Sequence, residues 1–76
     1  MSEQTAKMII DNYVASTLAL RANSQIPAAV VVDDLEAYCI ERTSVFLRWQ
    51  NAAESLQELP LVYKAQAVRA IEQITA

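Results

Sequence analysis

Seventy-six residues, 54% of them hydrophobic and 20% charged, with a net charge of −3, describe one small, mildly acidic domain over 1–76. This balance argues against nucleic acid or an anionic membrane as the main partner, since binding these usually needs a clustered basic face. Gly and His are both absent. That removes phosphate loops, dinucleotide fingerprints, Cys–His and Ser–His nucleophile pairs and Cys/His zinc sites.

Without Gly, hairpins and bulges lose their usual building block. Abundant Ala, Glu, Gln, Leu and Arg favour helix, so the expected fold is all-α. Thirteen residues are Ala, which makes the bulky core smaller than the hydrophobic percentage suggests. Some large apolar side chains are therefore expected to stay uncovered in a lone chain. The longest wholly apolar run, Ala28 to Val32, is far short of a membrane span. Glu3 and Lys7 interrupt the start, so no signal peptide is expected. The single cysteine, Cys39, points to a reducing, cytoplasmic setting.

The first helix is expected to begin at Ser2 or Thr5 and to run to about Ala22, either hydroxyl serving as cap. Ala6, Ile9, Ile10, Tyr13, Val14, Thr17 and Leu18 follow helical spacing and mark its inward face. Arg21 suits the C-terminal end of that helix, and Asn23 is the best available stop signal. Residues 23–27 read as a loop, with Pro27 in the first turn of a new helix and Ser24 as its cap. Ala28 to Val32 is either the beginning of the next helix or a short separate one bent at Asp33-Asp34.

The longest helical pattern spans 33–59 and closes at Pro60. Steps of three and four pass through Leu35, Tyr38, Arg42, Val45, Trp49, Ala52, Leu56 and Leu59, with Cys39, Phe46 and Ala53 alongside. A last helix, from about Leu61 to Thr75, places Tyr63, Ala67, Ala70, Ile71 and Ile74 on one face and Val68 at its side. Short connections make neighbouring helices antiparallel.

Asp33, Asp34 and Glu36 form the one acidic cluster. They read as a helix cap and first turn rather than as a metal or acid–base site. Small acidic acyl carrier proteins are similar in length and charge sign. They attach phosphopantetheine to the Ser of an Asp-Ser-Leu motif at a helix start. Here the stretch is Asp33-Asp34-Leu35, with a carboxylate where the hydroxyl must be. No cofactor, no metal and no catalytic residue is expected, and Cys39 reads as a small buried hydrophobe.

The interface candidates are Tyr38, Arg42, Val45, Phe46 and Trp49, because Trp, Tyr and Arg are enriched at binding hot spots. The same residues equally suit an ordinary bundle core from which Arg42 snorkels outward. The expected architecture is a bundle of three to four helices, dimeric, with the long helix central between the shorter ones. The expected function is non-catalytic protein binding by a small adaptor, inhibitor or regulatory subunit acting as a homodimer. A DNA-associated regulator, with a helix-turn-helix near 24–34 and Arg42 and Arg48 facing phosphates, is the alternative. Three acids at the start of its recognition helix oppose it. An accessory or carrier subunit of an enzyme complex is a third reading.

Overall fold

The computed structural model describes residues 2–75. It holds four helices in the order α1 (Glu3–Ser24), α2 (Ala28–Asp33), α3 (Leu35–Gln57) and α4 (Leu61–Thr75), with no strand among the described residues. The all-α expectation holds, and the 28–32 segment is a separate helix.

Each boundary has a local cause. Ser2 caps α1, its hydroxyl accepting from the Thr5 N–H at 3.2 Å. That satisfies one of the N–H groups a helix start leaves open. At the other end α1 continues past the expected stop. Asn23 stays helical, none of the described residues adopts a positive φ, and the Gln25 N–H closes the helix by donating to the Ala22 carbonyl. Ser24 is thus part of α1 rather than the cap of α2. Pro27 takes the capping position itself, in extended geometry, and its carbonyl accepts from Val30 and Val31.

Asp34 separates α2 from α3, with φ −146° and ψ 76°, and its carboxylate accepts from the Ala37 N–H at 3.1 Å. The acidic cluster therefore supplies a cap, as its position implies. Replacing Asp34 by Ala should cost about 1 kcal/mol, and Asn should recover most of it. Urea titration monitored by circular dichroism checks this, and an unchanged midpoint in Asp34→Ala would show that the cap carries no stability.

The chain contacts fix the packing. Arg42 meets Asn23 and Ser24, Trp49 meets Thr17, and Leu56 joins a cluster with Ala6 and Ile10. Helices α1 and α3 are therefore antiparallel along their length. Among the described residues α3 alone contacts the other three helices, as its length implies, but α4 packs mainly on α1 and only lightly on α3. The reason lies in α4, whose small Ala67, fully buried, meets the Ala6 and Ile10 side of α1.

The fully buried apolar residues are few and lie towards one end: Ala6, Ile10 and Val14 of α1, Ala52 and Leu56 of α3, Leu59, and Ala67. Ile9, Tyr13, Leu18, Tyr63, Ala70 and Ile71 close around them. Inward-facing positions on α1 and α4 match their helical spacing, except that Ile74 is exposed. The opposite end, built from the end of α1, α2 and the start of α3, buries Asn23 and no large hydrophobe.

The result is an elongated molecule of 45 × 25 × 15 Å with a radius of gyration of 14.5 Å. A compact chain of this length would have a radius of about 11 Å. It exposes 5459 Å² of surface, against about 4600 Å² for a typical folded monomer of its mass.

Ser16 in mid-α1 is wholly buried, and its hydroxyl has no hydrogen-bond partner among the described residues. Removing a buried hydroxyl that bonds nothing relieves a desolvation cost, and Ala is the better helix former. Ser16→Ala should therefore raise stability by about 0.5–1 kcal/mol. A loss of similar size in denaturant titration would mean that this hydroxyl is bonded in solution.

Candidate functional site

The five candidates on α3 do not behave as one surface. Arg42 is half-buried, and its Nη1 donates to Asn23 Oδ1 at 3.2 Å and to Ser24 Oγ at 2.7 Å. Ser24 in turn donates to the Leu20 carbonyl at 3.0 Å. The guanidinium thus connects to the last turn of α1, where unpaired carbonyls and the helix dipole favour a cation. A charge in the middle of an apolar seam is explained by this contact within the chain.

Trp49 also faces α1. Its indole Nε1 donates to Thr17 Oγ1 at 3.2 Å. Its ring lies 6.5 Å from that of Tyr13 and 6.1 Å from that of Phe46, both tilted by nearly 40°. These separations lie in the range where tilted aromatic pairs attract. A large ring with a satisfied N–H thus fastens the middle of α3 to the middle of α1.

Val45 and Tyr38 are half-buried on the same seam. Tyr38 lines a small cavity of about 140 Å³ with Ile26, Val30, Val31 and Glu41, below the volume of usual ligand sites. Phe46 differs from the other four. It touches Trp49 by one side and remains 44% exposed.

Beside Phe46 lies a face that the main seam does not include. Ile40 is 65% and Leu47 51% exposed, and Cys39, Thr43 and Gln50 are open to solvent. The expectation that Cys39 is buried is corrected here: it sits on the edge of α3 turned away from α1, where no other helix covers it. The signal for this face was the seven-residue spacing of Ile40 and Leu47, nearly half a turn around the helix from the dominant seam. The seam from Leu35 to Leu59 itself grows more exposed towards its start, Leu35 being open where Leu56 is buried.

Apolar side chains also project elsewhere: Val30 and Val32 from α2, Leu61 and Val62 from the first turn of α4, and Met8 from α1. Among these, the α3 face is the one that gathers several on consecutive turns of a long helix. No helix of the described residues is long and apolar enough to cross a membrane. No protein-family model matches the chain, and no characterised protein or solved structure matches it either.

Proposed function

We propose that this chain is a non-catalytic protein-binding module that works through a helical surface and associates with itself. The observation that carries the reading is the surface that the fold leaves uncovered. Exposed area exceeds the expectation for a monomer of this mass by roughly 850 Å². That is close to the ~800 Å² each partner contributes to an interface of ordinary size. On α3 the exposed Ile40, Phe46 and Leu47 lie at helical spacing on one side, the kind of patch that marks an interaction site.

Of the candidate residues, Phe46 offers its ring to a partner directly. Arg42 and Trp49 act one step back, by holding α3 against α1 so that the open face is rigid. The DNA-associated alternative loses support from the same contacts, because the Arg42 guanidinium is already engaged by Asn23 and Ser24.

Self-association makes thermal stability depend on concentration, since the folded dimer is favoured by mass action. Over about a hundredfold range of protein concentration the melting midpoint should rise by about 5 °C or more. A midpoint that stays constant over that range would count against association coupled to folding.

A further inference from the structure

We infer that the occupant of the open α3 face is the α3 helix of a second copy, running antiparallel, with the two-fold axis at Thr43. This rests on the self-association proposed above and assigns its geometry.

Three observations lead to it. The first is the pattern on the helix. Counting outward from Thr43 by three, four and seven residues gives Ile40, Cys39 and Glu36 in one direction and Phe46, Leu47 and Gln50 in the other. All seven are exposed. An interface between identical copies needs a surface that complements itself under a two-fold rotation. Rotation about Thr43 lays Ile40 and Cys39 of one copy against Phe46 and Leu47 of the other. It also sets Glu36 beside Gln50, whose amide can donate to the carboxylate. A parallel arrangement would instead bring Glu36 against Glu36, two like charges at one level.

The second observation is size. Thr43, a short residue, sits in the middle of the face and lets the two helices approach closely. The apolar residues on either side lie within two turns of it, so their contacts fall where a helix pair is nearest. The whole-chain excess of roughly 850 Å² is enough to supply one side of an ordinary dimer. The third is that α3 is held from behind. Arg42 and Trp49 fix it to α1, which leaves the opposite edge as a firm rod.

The geometry makes a covalent test available. Helix axes at about 8–10 Å, with Cα atoms about 2.3 Å from each axis, put the two Thr43 Cα atoms about 3.5–5.5 Å apart. That range overlaps the separation of ~4.4–6.8 Å found in disulfides. The two Cys39 residues lie four positions on either side of the axis. They are about 12 Å apart along the helices, too far to be bridged.

The experiment combines mild oxidation with non-reducing electrophoresis and light scattering on three chains: the wild type, the Cys39→Ser/Thr43→Cys double variant, and Ile40→Glu/Leu47→Glu. Wild type should scatter as a dimer yet give no disulfide-linked species, whereas Cys39→Ser/Thr43→Cys should convert largely to a covalent dimer. Ile40→Glu/Leu47→Glu should keep its helical circular dichroism and weaken association by at least about thirtyfold. Ready crosslinking of wild type through Cys39 would overturn the antiparallel arrangement in favour of a parallel one. A dimeric wild type whose Thr43→Cys form resists crosslinking, and whose charged variant associates normally, would move the interface to another face while leaving self-association intact. A monomeric wild type would reject both the geometry and the association beneath it.

Discussion

Trp49→Ala is expected to lower the stability of the chain by about 3 kcal/mol, towards the lower end for loss of a large buried aromatic because the ring is half-buried. Three contacts disappear together: the ring pairs with Tyr13 and Phe46 and the hydrogen bond to Thr17. A chain of this length has a total stability of roughly 4–11 kcal/mol, so the variant should sit near the edge of unfolding at ordinary temperature. Trp49→Phe keeps most of the ring area and loses the indole donor. It should cost about 1 kcal/mol, the worth of a typical hydrogen bond. Chemical denaturation of both variants checks the ranking. Equal, small losses would mean that Trp49 packs loosely and that α3 is held elsewhere.

The second large effect belongs to Arg42. Truncation to Ala removes the donor from Asn23 Oδ1, in a residue that is 4% exposed. It also removes a cation from the end of α1. The expected loss is about 2 kcal/mol, chiefly the desolvation of an acceptor left unpaired. Arg42→Glu should be worse, at about 3 kcal/mol, because a carboxylate would then face acceptor oxygens and the negative end of a helix. Lys at this position keeps the charge but not the planar donor set, so it should recover only part of the loss. These losses should appear even under dilute conditions, because both bonds lie within one chain. If Arg42→Ala unfolds like wild type when dilute and weakens association only, the residue acts at a partner surface instead.

Much of the architecture is legible in the sequence because the helices obey simple rules. Pro60 ends α3, Ser2 caps α1, and the three-and-four spacing on α1 and α4 picks out most of the residues that pack inward. What escapes is tertiary choice. Asn23 looks like a stop signal because Asn tolerates the left-handed region, yet it remains helical so that its amide oxygen can meet Arg42, nineteen residues away. Ser16 is soft by propensity, and nothing local announces that it lies in a tight contact. The length of α3 marks it as the helix that meets the other three, but does not reveal that α4 packs mainly on α1, a choice set by the small Ala67 against Ala6 and Ile10.

The candidate site was legible in part for a similar reason. A seam marks the residues that turn towards something, and periodicity alone does not say whether that is α1 or another molecule. The structure separates them: Arg42 and Trp49 face α1, and Phe46 stands at the edge of an open strip that runs through Ile40 and Leu47. That strip is weaker in the sequence because Thr43 and Gln50 interrupt it, yet a small central residue is what close helix pairing favours.

The most direct measurement is the mass in solution, by light scattering over a concentration series from low to high micromolar. The exposed area and the extended shape lead to a particle of twice the 8.4 kDa chain mass, dissociating on dilution. A particle that stays at the mass of one chain throughout the series would show that the uncovered helix face needs no second copy of this chain to complete it.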